Sequence, residues 1–166
     1  MMIARALISL ALGLGLATGM ATAQQERVVL SHDTVTTVIE HCMAWGEERD
    51  LNLTIAVIDQ GARLRGYISM DEAYAVSWSL AENKARSALA LQQPTSALGW
   101  VEDVPGIARG ADLIPLQGGV PVFTQDGVIL GAVGVSGASS ELDEQCAMAG
   151  VSAAGLVHGV VTNEAD

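Results

Sequence analysis

Two pairs of short β-rich runs, each joined by a tight turn, constrain the fold of this chain most. The first pair is LTIAVID (53–59) and RLRGYIS (63–69), and the letters DQGA span the turn between them. The second pair is IPLQGGVPVF (114–123) and VILGAVGVSG (128–137), joined by QDG. Strands connected by so few residues pair as antiparallel hairpins. The sequence therefore predicts two hairpins.

Helical patterns precede, separate and follow the two hairpins. Ser31 or Asp33 can cap a first helix that runs to about Arg49, and an Ala-rich helix extends from about Ala73 to Gln92. The predicted buried face of the first helix is Val35, Val38, Ile39, Cys42 and Trp45 or Gly46. The predicted face of the second is Tyr74, Trp78, Ala81, Ala85 and Ala88.

The remaining segments complete the predicted order of elements. A short helix is expected within 94–104, and a final helix from about Ser140 to Leu156, with Ser140 as N-cap and Asp143 as its N3 partner. The order helix-hairpin-helix-hairpin-helix predicts an α+β fold, with an antiparallel sheet of two hairpins packed against helices. A doubly wound sheet would need single strands alternating with helices.

The first 23 residues have the pattern of a cleaved secretory signal peptide. One basic residue (Arg5) precedes an apolar core, and the small residues of Ala21-Thr22-Ala23 predict cleavage before Gln24. Residues 24–166 are then a single domain, without an internal repeat or an obvious linker. We expect a periplasmic or secreted protein with no membrane segment once the signal is removed.

Charge excludes some classes of partner. The chain has 166 residues and a formal net charge of −11, and Lys84 is its one lysine. Binding to phosphate backbones and to anionic membranes needs clustered Lys and Arg. We therefore expect no nucleic-acid partner, which leaves small ligands and protein partners.

Two cysteines, Cys42 and Cys146, lie far apart in the sequence, each within a helical pattern. In an oxidising compartment they can form a disulfide, within a chain or between subunits. The other interpretation is two buried apolar thiols, and this is the one we expect. Neither cysteine belongs to a Cys-x-x-Cys motif, which argues against a thiol oxidoreductase, a zinc site and covalent haem attachment.

The glycine-rich stretch GVILGAVGVSGASSELDE (127–144) resembles a phosphate-binding loop at first sight. Its spacing is Gly-x-x-Gly-x-x-Gly, and no lysine follows the last of these glycines, as a P-loop requires. Carboxylates in the first turn of the next helix would repel a phosphate: Glu141, Asp143 and Glu144. The glycines are better explained by close packing within a buried strand.

The same stretch, with its surroundings, resembles the GlcG/HbpS-like haem-binding family, which includes the C-terminal domain of PduO-type proteins. The resemblance rests on GGVPVF (118–123), DGVILGAVGVSGASSELDEQCAMAG (126–150), IAVIDQGARLRGYISMDEA (55–73) and NKARSALALQQPTSAL (83–98). Two residues depart from the family pattern: Ser69 replaces an arginine, and Glu72 replaces a glycine. A cation is lost and an anion gained beside the expected pocket.

The resemblance implies non-covalently bound haem, few protein ligands and a homo-oligomer. Haem iron needs an axial donor, most often an imidazole, and the chain has His32, His41 and His158. His41 borders the apolar face of the first helix and is the first candidate for the metal ligand, with His32 second. Met70 is a candidate thioether ligand or a core residue. The implied function is haem sequestration, sensing or carriage.

Asp71 and Lys84 allow a different interpretation. Asp71 can be an N-cap or a carboxylate in the pocket. Lys84 occupies a position that the family also fills with lysine, and it can pair with Asp71 or Asp143, contact a haem propionate or form a Schiff base. As an acid–base pair, Asp71 and Lys84 would make the protein a small-molecule isomerase, hydratase or lyase.

Overall fold

A computed structural model describes residues 27–159, so the predicted signal peptide (1–23) lies outside the described residues. The elements in chain order are α1 (His32–Glu47), β1 (Thr54–Asp59), β2 (Leu64–Ser69), α2 (Ser77–Leu91), a 3-10 helix (Thr95–Asp103), α3 (Pro105–Gly110), β3 (Gly119–Phe123), β4 (Ile129–Ser136) and α4 (Ser140–Ala153). None of the helices in this part of the chain has both the length and the apolar character needed to cross a membrane.

The four strands form one sheet in the order β2-β1-β4-β3, and every neighbouring pair is antiparallel. Each predicted hairpin is present, and the two hairpins join through their inner strands β1 and β4. The α+β prediction, with an antiparallel sheet of two hairpins, is therefore confirmed. In the first turn, Asp59 accepts hydrogen bonds from the backbone N–H groups of Gly61 (2.8 Å) and Arg63 (3.1 Å).

The helices form a layer on each face of the sheet. On one face, Ile55 and Val57 of β1 join a core cluster with residues of α1 and α4. On the other face, Ile58 contacts Ala85 and Ala88 of α2. Neighbouring strand residues point to opposite faces, so a fully buried β1 supplies both layers.

The glycines of β4 are required by close packing, as the sequence predicts. A Cβ at Gly134 would collide with the carbonyl oxygen of Ala81, so only glycine lets α2 lie this close to the sheet. Gly137 has a φ of +145°, and a Cβ there would collide with the carbonyl oxygen of Asn52. At both positions one backbone packs directly against another. Close packing therefore explains the glycine motif, and no phosphate-binding site is needed to account for it.

The first helix agrees with its prediction, and the last differs in its cap. Ser31 caps α1 by accepting a hydrogen bond from the N–H of Thr34 at 3.1 Å. The N-cap of α4 is Ser139, one residue before the predicted Ser140. Asp143 does not complete a capping box, because its Oδ1 accepts instead from the N–H of Ala138, at 2.9 Å.

The predicted face of α2 was wrong for its two aromatic residues. The helix begins at Ser77, and Tyr74 and Trp78 are 72% and 58% exposed. Tyr74 lies before the helix begins. The contact of α2 with Gly134 explains the exposure of Trp78, because a helix that lies so close to a strand can bury only small or slender side chains. The buried residues of α2 are Ser77, Ala81, Lys84, Ala85, Ser87 and Ala88.

The segment after Pro94 is more helical than the sequence predicts. The expected short helix is a 3-10 helix, and α3 follows it directly with Pro105 in its first turn. Proline has no N–H to lose at this position and its φ suits a helix start. No helix was predicted between residue 104 and the second hairpin, where α3 lies.

The expectation of two free thiols was wrong, because Cys42 and Cys146 form a disulfide that joins α1 to α4. The two helices approach closely where Gly150 faces the backbone of Val38, since a Cβ there would collide with the Val38 carbonyl oxygen. This approach leaves the cysteine Cα atoms 4.9 Å apart, a separation that allows a disulfide. Both cysteines are fully buried.

Candidate functional site

His41 lies on the exposed side of α1, and one of its ring nitrogens is already bonded. Its Nδ1 is 2.9 Å from the carbonyl oxygen of Thr37, one helical turn earlier. A carbonyl can only accept, so Nδ1 carries the hydrogen and Nε2 keeps its lone pair in the neutral ring. The imidazole is thus oriented by the helix and offers an accessible nitrogen to a metal.

The other two histidines are placed differently. His32 is the first residue of α1 and is exposed. It precedes His41 by nine positions, which places the two side chains on opposite sides of the helix at 3.6 residues per turn. His158 follows α4 and is half-buried; burial lowers its pKa, and the nearby Glu144 carboxylate opposes that shift. The three rings do not form one site.

Met70 and Asp71 line an open cavity of about 260 Å³ between the last turns of α1 and the end of β2. Its other lining residues are Met43, Glu47, Asn52, Ile68 and Ser69. The Sδ of Met70 is 3.2 Å from the N–H of Leu53 and accepts a hydrogen bond from it. Met70 therefore packs against the core and also lines the cavity. Asp71 is exposed at the mouth.

A second cavity, also of about 260 Å³, shares the lining residue Asn52 with the first. Its other lining residues are Asp50, Leu51, Glu72, Tyr74 and Gly137. We call the two cavities together the acidic cleft, because its lining includes the carboxylates of Glu47, Asp50, Asp71 and Glu72. The two departures from the family pattern, Ser69 and Glu72, both belong to this lining. Within residues 27–159, no three His, Cys, Asp or Glu side chains are grouped to hold a metal ion.

Lys84 is buried in α2 and is 2% exposed. Its Nζ donates to Asp143 Oδ2 at 2.8 Å and to the carbonyl oxygen of Val135 at 2.9 Å. Of the partners considered for this lysine, the structure selects Asp143, and Asp71 lies in a cleft whose lining does not include Lys84. Burial raises the pKa of the Asp143 carboxyl, and the Lys84 ammonium and the Ala138 N–H oppose this rise. The acid–base pair of Asp71 and Lys84 is not assembled.

Several residues of the cleft were not identified from the sequence. Met43 and Glu47 are four positions apart on α1, so they share one side of the helix and face the end of β2. Asn52 lies just before β1 and is shared by both cavities. The spacing of Met43 and Glu47 was visible, but only the packing of α1 beside β2 shows that this side of the helix borders a cavity.

The family model described as "Haem degrading protein HbpS-like" matches residues 30–152 of this chain. Protein GlcG of Escherichia coli (strain K12) is 32% identical over 114 residues, which is 66% of this chain and 83% of GlcG. An uncharacterised 15.0 kDa protein of Citrobacter freundii, encoded between dhaT and dhaS, is 33% identical over 107 residues, or 58% of this chain and 71% of that protein.

Solved structures share the fold. The crystal structure of HbpS has a TM-score of 0.73 and 29% identity, covering 78% of this chain and 93% of HbpS. A double mutant of Streptomyces reticuli HbpS has a TM-score of 0.73 and 26% identity, covering 90% of this chain and 97% of its own. The PduOC:heme complex, at 23% identity and a TM-score of 0.72 over 80% of this chain and all of its own, supports the fold alone. With the family model matching most of its length, this chain belongs to the HbpS-like family.

Proposed function

We propose that this protein binds haem non-covalently and that His41 supplies the axial nitrogen to the iron. Membership of the HbpS-like family supports a haem-related function. The observation that carries the assignment to His41 is the bond from Nδ1 to the Thr37 carbonyl oxygen, at 2.9 Å. Histidines that bind metals commonly donate their other ring nitrogen in this way, which fixes the tautomer and the direction of the ring.

The chemistry of haem argues against the acidic cleft as its binding site. The two propionates of haem are anionic, and the carboxylates of Glu47 and Asp71 at the first cavity would repel them. Met70 is the weaker donor, because its sulfur already accepts the Leu53 N–H.

Sequestration, sensing or carriage of haem, in a homo-oligomer, is the role we propose for this chain. Large aromatic side chains remain on its surface, with Tyr74, Trp78 and Trp100 exposed by 72%, 58% and 45%. Such side chains are typical of surfaces that another protein covers. Light scattering of the purified protein tests the assembly, since a monomer at micromolar concentration would contradict it.

We propose export to the periplasm or the medium, with residues 1–23 removed. Two observations support it: the signal-like N-terminal sequence and the disulfide between Cys42 and Cys146. Disulfides persist in oxidising compartments and are rare in the cytosol. N-terminal sequencing of protein expressed with its own N-terminus should begin at Gln24.

The test of haem binding is an absorption titration of haem into haem-free protein, repeated on His41→Ala and His32→Ala. We expect a saturable Soret shift that is lost in His41→Ala and restored there by added imidazole. His32→Ala is the matched control, because it removes the other exposed imidazole of α1, and it should titrate like the natural protein. A shift that survives His41→Ala unchanged would contradict the assigned ligand, and no shift in any form would contradict haem binding.

The same samples test degradation, the activity that the family description names. Ascorbate is added to the haem-loaded protein under air, and the Soret band is followed over time. A stable band agrees with sequestration or carriage. A band lost faster than that of free haem would add an oxidative activity to the binding proposed here.

A further inference from the structure

His41, Trp45 and Arg49 follow one another at four-residue intervals, from the second half of α1 to just past its end. Residues four apart in a helix are neighbours on one side of it, about 5–6 Å apart between Cβ atoms. The three side chains therefore place an imidazole, an indole and a guanidinium in a line along the helix. His41 and Arg49 are exposed, and Trp45 is half-buried. We call these three residues the α1 strip.

The guanidinium of Arg49 is turned back along the strip, in the direction of His41. Its Nη1 donates to the carbonyl oxygen of Trp45 at 2.8 Å, and its Cζ lies 4.0 Å from the centre of the Trp45 ring. The flat face of an indole attracts a guanidinium, so the ring holds the cation in place. The charge of Arg49 therefore lies over the residue that is one helical turn from His41.

Arg49 is able to accept a new anionic partner. Helix α1 itself contains no lysine or arginine, so Arg49 is the cation that follows it most closely. Its ion pair with Glu48 measures 3.3 Å, and both side chains are exposed, by 42% and 73%. Water and salt screen such an exposed pair, so another carboxylate can replace Glu48 with little loss. Both bonds of the guanidinium use Nη1, and within residues 27–159 its Nε and Nη2 have no hydrogen-bond partner.

The α1 strip matches the three chemical parts of haem. Iron takes an imidazole nitrogen, which His41 offers. The flat apolar ring packs well against an aromatic face, which Trp45 supplies. The propionates are carboxylates, and the planar fork of an arginine binds a carboxylate through two N–H groups.

We propose that the α1 strip is the haem-binding surface of this chain, with Trp45 packing against the ring and Arg49 pairing with a propionate. This inference rests on the function proposed above, and it adds the two residues that orient haem on His41. Arg49 exchanges the Glu48 carboxylate for the propionate while it stays stacked on Trp45. It is a positioning residue, so it sets the affinity for haem and leaves the iron ligand unchanged.

The test compares haem with haem dimethyl ester, in which both propionates are uncharged. Each is titrated, in the same dilute detergent, into the natural protein, Arg49→Gln and Arg109→Gln, and the Soret band is followed. Arg109→Gln is the matched control, because Arg109 on α3 is also exposed and also donates to the carbonyl four residues earlier, that of Pro105 at 3.3 Å. Circular dichroism checks that each variant is folded.

We expect Arg49→Gln to bind haem about three- to tenfold more weakly, with the Soret band of the complex at the same wavelength. The dimethyl ester should bind equally well to Arg49→Gln and to the natural protein. Arg109→Gln should bind both porphyrins as the natural protein does. A purely structural role of Arg49 at the end of α1 would weaken both porphyrins alike.

Trp45→Leu tests the contact with the ring, with Trp78→Leu on α2 as the matched control. Leucine keeps an apolar side chain but removes the flat face. Trp45→Leu should therefore weaken haem and its ester equally, by about two- to tenfold. Trp78→Leu should change neither affinity.

Two results would overturn the inference while leaving haem on His41. One is an Arg49→Gln variant that binds haem as the natural protein does or loses haem and ester alike, and the other is a Trp45→Leu variant with unchanged affinities. A natural protein that gives no Soret shift is a different result, because it contradicts haem binding itself.

Discussion

The Lys84–Asp143 pair and the acidic cleft both contain carboxylates, but the carboxylate of the pair is buried and those of the cleft are exposed. The Asp143 carboxylate is 2% exposed, and its two oxygens accept from Lys84 and from the N–H of Ala138. The carboxylates of Asp71 and Glu72 are exposed and line open cavities. The Asp143 carboxylate is held by interactions within the fold, whereas the carboxylates of Asp71 and Glu72 remain accessible to a ligand.

The energetic consequences differ accordingly. Removing one partner of a buried ion pair leaves an uncompensated charge in a medium that solvates it poorly. Removing an exposed carboxylate changes only weak interactions that water and salt already screen. Lys84 was a candidate for acid–base chemistry with Asp71, and in the structure it pairs with Asp143 instead.

Replacing Lys84 with methionine should have the largest effect on stability. Methionine keeps the length of the apolar stem, but it leaves the buried Asp143 and the Val135 carbonyl without their donor. We expect a loss of about 3–5 kcal/mol in the free energy of unfolding, measured by urea denaturation at pH 7. A loss below about 1 kcal/mol would mean that the pair behaves like a surface ion pair.

The pH dependence of the Lys84→Met variant should show that its loss of stability comes from the buried Asp143 carboxylate. Burial raises the pKa of Asp143, and Lys84 is one of the groups that oppose the rise. Without the lysine the folded-state pKa lies further above the unfolded value, so proton binding favours the folded state. The deficit should shrink as the pH falls through that raised pKa. Lys84→Met/Asp143→Asn has no such carboxyl, so it should be more stable than Lys84→Met at pH 7 and should lack this dependence.

The next prediction concerns the disulfide, which lies in the helix layer on the other face of the sheet from Lys84. Helix α1 of this layer carries His41 and the cavity residues Met43 and Glu47. Replacing Cys42 and Cys146 with alanine opens a cross-link between residues 104 positions apart. We expect a loss of about 2–4 kcal/mol, chiefly because the unfolded chain gains freedom. Urea denaturation with and without dithiothreitol measures it, and the reductant should destabilise the natural protein but not the variant. Equal denaturation curves for the natural protein with and without dithiothreitol would show that the disulfide does not form.

Much of the fold could be predicted, because hairpins and amphipathic helices are local patterns. The turn after Asp59 and the cap at Ser31 depend on neighbours in the sequence, and both predictions are confirmed. The family assignment is confirmed as well, because the family model matches residues 30–152.

Predictions that depend on which surfaces meet were less successful. The disulfide follows from how closely α1 approaches α4, and the exposure of Trp78 follows from how closely α2 lies on Gly134. The acidic cleft joins the last turns of α1 to the end of β2, and no local pattern places Glu47 beside Asp71. The roles of His41, His32, Met70 and Lys84 toward haem stay predictions until the titrations are done.

The smallest effect on stability should come from the cleft itself, and this is what makes the comparison with Lys84 informative. Asp71→Asn/Glu72→Gln removes two exposed charges that share the cleft with Glu47 and Asp50. We expect the free energy of unfolding to change by less than about 0.5 kcal/mol, or to rise slightly because repulsion among the carboxylates falls. Urea denaturation at low and high NaCl measures this, and any gain should disappear at high salt. A loss of more than about 1 kcal/mol would show that these carboxylates support the fold and are not free for a ligand.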